Sequence, residues 1–217
     1  MARYGMVIDV DRCTGCYACF LSCRDEHAGH DHVPVALAQP EGQSWIKVKE
    51  VEQGSFPKVK VSYVPVPCLQ CADAPCMSAA TGGALYRRED GIVMIDPVKA
   101  AGQRGIASAC PYGAIFWNEE RNSPQKCTFC AHLLDEGWKA PRCVEACPTL
   151  ALVFGDLDHA DSEVSRRRAE KPAEELFPQL ATKPLVSYFG LPVRFVSGEI
   201  VLADRPDQCA EGVTVVL

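Results

Sequence analysis

The chain has 217 residues, of which 47% are hydrophobic and 23% charged, and a formal net charge of -6 at pH 7. That length suits one larger domain or two small ones with ample material for a core; the acidic balance argues against an electrostatic grip on nucleic acid, which needs a basic face to displace counterions from phosphates. No stretch reaches the roughly 18 apolar residues needed to cross a bilayer, and the opening "MARYGMVIDVDRC" has no apolar run followed by a cleavage site, so the expectation is a cytoplasmic protein with protein partners, export alongside one of them being left open.

In chain order, short apolar runs bounded by turn residues predict strands over 4–10, 44–52, 58–66, 91–96, 114–119 and 150–156. Helices are short. "FLSCRDEHA" (20–28) forms a helical turn, and "KCTFCAHLLDEG" (126–137) carries Cys130, Leu133 and Leu134 at helical spacing. Residues 160–182 are charged, lack cysteine and are broken by Pro172 and Pro178, which predicts a surface helix and connector. From 183 onward, "LVSYFG", "VRFVSGEIVLAD" and "GVTVVL" alternate apolar and polar residues around Gly190, Gly198 and Gly212, the pattern of a β-rich tail.

Thirteen cysteines dominate the chemistry. An odd count without a secretory signal fits disulfides poorly and metal well. Cys13, Cys16, Cys19 and Cys23 spell C-x2-C-x2-C-x3-C. In that arrangement three thiolates wrap one iron-sulfur cube and the fourth reaches a second. Cys127, Cys130, Cys143 and Cys147, closed by Pro148, repeat the logic with an insertion; taken alone, that group also fits a zinc ribbon. Paired by the crossed-ligand rule, the two groups make one site from Cys13, Cys16, Cys19 and Cys147, and another from Cys23, Cys127, Cys130 and Cys143.

The middle of the chain offers Cys68, Cys71 and Cys76, then Ala80 where a fourth cysteine belongs. Its partner stretch has Ala100, Gln103 and Ile106 ahead of Cys110. The same rule assembles Cys68, Cys71, Cys76 and Cys110 into one complete site, and leaves positions 80, 100, 103 and 106 as one wholly absent site. Random decay scatters losses over both sites; here one is erased and the other intact. Three [4Fe-4S] clusters on twelve thiolates are therefore expected, with Ile106 and Gln103 filling the space of a fourth, and Cys209 left over as a structural or free thiol. The expected fold is α+β, with two bacterial ferredoxin-like modules. Residues 1–43 with 120–159 form the first and 44–119 the second, followed by the 160–182 connector and the 183–217 tail.

Little else points to chemistry. No nucleophile–base set or phosphate loop is evident, "TGGA" (81–84) being too short and lacking a following Lys-Ser/Thr. His27, His30 and His32 in "DEHAGHDH" are able to bind metal, but a solvated loop is the expectation; Trp45, Trp117 and Trp138 read as core or interface aromatics.

The nested cysteine groups, with "CPYGA" and "QKCTFCAHLLDEG...PRCVEACP", resemble the iron-sulfur subunits of molybdenum and tungsten enzymes of the dimethyl sulfoxide reductase family. Within it, the lost fourth site, "MVIDVDRCTGCYACFLSCRDEH", "REDGIVMIDPVKA" and "CPYGAIFWNEERNSPQKCTFCAHLLD" look like the branch of pyrogallol-phloroglucinol transhydroxylase and resorcinol hydroxylase small subunits. That resemblance spans nearly the whole chain. In that branch the small subunit continues into a C-terminal β-sandwich, which is not expected in a sequence ending at Leu217. The resemblance implies a heterodimer with a large catalytic subunit. That partner carries a bis-molybdopterin guanine dinucleotide centre of molybdenum or tungsten, where hydroxylated aromatic compounds react. This chain is then a non-catalytic electron relay, with a further electron carrier as an additional partner. The alternative is a polyferredoxin-type subunit of another molybdopterin oxidoreductase, a formate dehydrogenase or a hydrogenase.

Overall fold

In a computed structural model of the chain, residues 2–41, 43–193 and 201–209 are described. Strand β1 (Tyr4–Asp9) is buried along nearly its whole length. A run this apolar belongs between two neighbours, and β1 has them: β8 (Leu152–Asp156) lies antiparallel on one side, with Met6 opposite Phe154, and β9 (Val186–Phe189) parallel on the other, with Met6 opposite Val186. This three-stranded sheet joins the start of the chain to two segments more than 140 residues away.

Helix α1 (Ala18–His27) follows the first cysteine loop and buries Cys19, Cys23 and His27, which recur every four residues and so share one face. Strands β2 (Lys47–Ser55) and β3 (Lys58–Val66) make a hairpin, buried only at its base by Val64, Val66, Trp45 and Ile46. Helix α2 (Pro75–Ala79) begins with proline, whose missing N–H costs nothing at a helix start. Then come β4 (Leu85–Arg87) paired with β5 (Val93–Ile95), helix α3 (Gly105–Ser108), and β6 (Ile115–Asn118) paired with β7 (Ser123–Lys126). Short helices α4 (Ala131–Asp135) and α5 (Arg142–Glu145) carry the last cysteine group.

The expected surface helix is α6 (Glu163–Glu170), capped by Ser162, whose Oγ accepts the Ser165 amide at 3.1 Å. It lays Val164 against Val7, Val153 and Phe189 on the sheet. Thus β9, within the span read as a tail, is a core strand. Strands β10 (Val201–Leu202) and β11 (Arg205–Cys209) pair with each other. The expected strand at 212–217, and most of that at 193–204, fall outside the described residues. Among the described residues no helix is long and apolar enough to cross a membrane. The result is an α+β fold of small sheets and short helices.

Candidate metal centres

Three loops of the form Cys-x-x-Cys start the cysteine groups, and they share one backbone turn. The residue just before the second cysteine has positive φ in each: Gly15 (67°), Gln70 (50°) and Phe129 (53°). Only the first is glycine, and there a Cβ would lie 2.6 Å from the Tyr63 ring. Left-handed backbone costs a non-glycine residue about 1–2 kcal/mol, so Gln70 and Phe129 are held by their surroundings; both are fully buried. The turn curls the amides inward, and Phe129 N–H reaches Cys127 Sγ at 3.4 Å.

The two Cys-Pro loops repeat each other as well. Gly113 and Leu150, each three residues after its cysteine, have φ of 62° and 53°. The next amide returns to sulfur: Ala114 N–H to Cys110 Sγ at 3.4 Å, and Ala151 N–H to Cys147 Sγ at 3.3 Å. Amides donating to sulfur favour thiolate over thiol.

The fold brings cysteines from separate parts of the chain near one another. Burial first, then neighbouring Cys13, Cys147 and Cys16, push the Cys19 thiol up to about 12. Burial, followed by Cys23 and then by Cys68 of the next group, pushes Cys127 up to about 12. Burial, then the neighbouring Cys130, Cys127, Cys23 and Cys19, hold Cys143 well above the usual thiol range. Burial, then Cys68, Cys110 and Cys76, push Cys71 up to about 11, while a hydrogen bond from Thr182 opposes the rise. Cys68, Cys71, Cys76 and Cys110 also line one cavity, together with Gln70, Val93 and Ile115. None of the twelve is in a disulfide, and Cys16 alone among them is exposed.

Such quartets are unfavourable as bare thiolates, since each buried charge repels three others. A cationic metal core reverses that logic and deprotonates the coordinating thiols. Four soft sulfurs per group and amides aimed at sulfur fit an iron-sulfur cube.

The positions where ligands of a fourth site were missing, 80, 100, 103 and 106, are built of packed or hydrogen-bonded side chains. Ala100 and Ile106 are fully buried in an apolar cluster with Leu85, Val93, Ile95 and Ile115, against which Ala80 packs. Gln103, expected to fill space there, instead lies half-buried at the edge as a clamp. Its Oε1 accepts Thr81 N–H (2.9 Å) and Thr81 Oγ1–H (3.1 Å), while its Nε2 donates to the carbonyls of Lys99 (2.8 Å) and Thr81 (3.2 Å). An amide has both donors and acceptors to offer the backbone, so it bridges rather than fills.

The histidines depart from the solvated-loop expectation. His27 is 1% exposed and stacks on Trp45 with ring centroids 4.2 Å apart; burial pushes its pKa down to about 3. Its Nε2 lies 3.9 Å from Cys130 Sγ. His32 and His132 stack at 3.8 Å, His132 Nε2 sits 2.9 Å from Glu26 Oε1, and Arg142 Nε pairs with Glu26 Oε2 at 3.3 Å. Only His30 keeps to the solvated surface. The four-residue spacing from Cys19 through Cys23 to His27 was the signal for the buried one. Trp45 is core, whereas Trp117 is half-buried under Arg104 and Trp138 is exposed.

Residues 59–157 match the 4Fe-4S dicluster domain family. Over its whole length the chain is 41% identical to the pyrogallol hydroxytransferase small subunit of Pelobacter acidigallici, covering 79% of it. Over 87% of its length it is 36% identical to a putative dimethyl sulfoxide reductase iron-sulfur subunit of Halobacterium salinarum, covering 79% of that protein. It is 35% identical to a sulfite dehydrogenase subunit of Allochromatium vinosum, over 87% of this chain and 83% of that one. On these likenesses, the chain belongs to the 4Fe-4S electron-transfer subunits of the dimethyl sulfoxide reductase family.

Proposed function

We propose that this chain is a three-cluster electron relay serving a larger molybdopterin-dependent subunit that acts on hydroxylated aromatic compounds. Cys13, Cys16, Cys19 and Cys147 hold the first [4Fe-4S] cluster. Cys23, Cys127, Cys130 and Cys143 hold the second, and Cys68, Cys71, Cys76 and Cys110 the third. When bound, the clusters supply one-electron transfer and no bond-making chemistry. The protein's part is to keep most of the sulfurs buried, to donate amides to some of them, and to limit water there, all of which tune potential. The two Cys-Pro loops with matching turns support two ferredoxin-like modules.

The observation that most supports the reading is that Ala100 and Ile106 are buried with Leu85, Ile95 and Ile115, and Ala80 packs against them, where ligands of a fourth cluster were expected. The aromatic substrate is supported by the 41% likeness to a pyrogallol hydroxytransferase small subunit. Anaerobic purification tests the partner. A larger chain that co-elutes with about one molybdenum or tungsten and converts a polyhydroxybenzene supports the proposal. A chain that purifies alone, or with a partner lacking both metals, contradicts it.

A further inference from the structure

Lys126 closes β7 immediately before Cys127 and is 2% exposed. Its Nζ donates to the Val93 carbonyl, to the Cys127 carbonyl (3.0 Å) and to Gln70 Oε1 (3.4 Å). Three acceptors occupy every N–H of an ammonium, whereas a neutral amine has only two to give. Gln70 is fixed in turn: its Nε2 donates to the Cys127 carbonyl at 2.9 Å, and its Oε1 also accepts Val93 N–H at 2.9 Å. The Lys126 side chain is therefore held as a cation in a rigid polar nest.

No Asp or Glu among the described residues pairs with it. A buried cation surrounded only by neutral acceptors is strongly unfavourable unless negative charge lies close by. The candidates are sulfurs. Gln70 and Val93, which accept from its Nζ, line the same cavity as Cys68, Cys71, Cys76 and Cys110 of the third quartet, and its remaining acceptor is the carbonyl of Cys127, of the second. Lys126 therefore stands at the seam between the second and third quartets.

We propose that Lys126 is the shared counter-charge of the second and third clusters, and that it raises the reduction potentials of both. This rests on the ligand assignment given above. A cube held by four thiolates is anionic overall and gains one more negative charge on reduction, so a fixed cation beside it stabilises the reduced form more than the oxidised one. Neither the residues that hold Lys126 nor the cavity that Gln70 and Val93 line includes a cysteine of the first quartet, which makes that quartet an internal control.

The test is an EPR-monitored redox titration of the anaerobic holoprotein in its native complex, comparing Lys126→Met, which removes the charge at similar volume, with Lys126→Arg, which keeps it. Lys126→Met is expected to lower the reduced-to-oxidised ratio at fixed potential about tenfold or more for two of three signals, ~59 mV for one electron. The remaining signal moves less than threefold, and Lys126→Arg restores all signals to within threefold. Unchanged midpoints with iron retained overturn the proposal, as does an equal shift of all three signals. If Lys126→Met loses iron, Lys126→Gln is titrated in its place. Iron loss from both neutral variants with retention in Lys126→Arg supports a required counter-charge; loss from all three variants overturns it. Failure of the ligand assignment shows separately, as an iron content of the unmodified complex away from about twelve per chain.

Discussion

Replacing Ile106 with alanine probes the erased site directly. Ile106 is 0% exposed, among Leu85, Val93, Ile95, Ala100 and Ile115. Truncation removes three carbon groups, about 2.4 kcal/mol at roughly 0.8 kcal/mol each. It also leaves a void. If about half of some 80 Å3 stays open, roughly 24 cal/mol per Å3 adds about 1 kcal/mol, and the total of about 3–4 kcal/mol falls within the range known for such changes. For a chain of this size each kcal/mol is worth about 2–4 °C, so Ile106→Ala is expected to melt roughly 6–16 °C lower by anaerobic circular dichroism. Ile106→Val, losing one carbon, is expected to cost only about 0.5–1.5 kcal/mol. A shift below about 2 °C for Ile106→Ala is what an exposed site gives; it would refute the claim that a packed apolar plug occupies the place of the fourth cluster.

Three further outcomes follow from the same geometry. Cys110→Ser removes one ligand of the third quartet, so iron is expected to fall from about twelve to about eight per chain while two EPR signals persist; survival of all three signals refutes the assignment. Gln103→Ala breaks four hydrogen bonds between the 81 and 99 turns and is expected to cost about 1–3 kcal/mol in thermal unfolding, with iron content unchanged. Gly15→Ala forces a side chain onto φ 67° and into Tyr63, so loss of the first cluster's signal ahead of the other two is expected on warming.

Much of this site was legible because thiolate ligation imposes spacing on sequence. Cys19 and Cys23 fall one helical turn apart for the same reason that they face inward together in α1. The strands around the loops were legible from apolar runs, β1 most clearly. What escaped was polar and buried. Lys126 reads as an ordinary surface lysine at the end of "NSPQK", and only the folded nest of Gln70, Val93 and Cys127 shows why it lies inside. His27 was hidden in the same way, because a histidine-rich loop looks solvated until Trp45 and Cys130 close over it. Pairing between distant segments was also beyond local pattern: nothing near Val186 announces that it lies beside Met6. Gln103 shows the limit of reasoning from a lost ligand, since position alone did not separate a space-filler from a clamp.

The central claim is the number of cubes. Iron and acid-labile sulfide, measured per chain on anaerobically purified complex and corrected for any iron in the partner, test it most directly. Three quartets predict about twelve irons and about twelve sulfides. About sixteen of each would contradict the erased fourth site, and stoichiometric zinc without iron would contradict the electron relay itself.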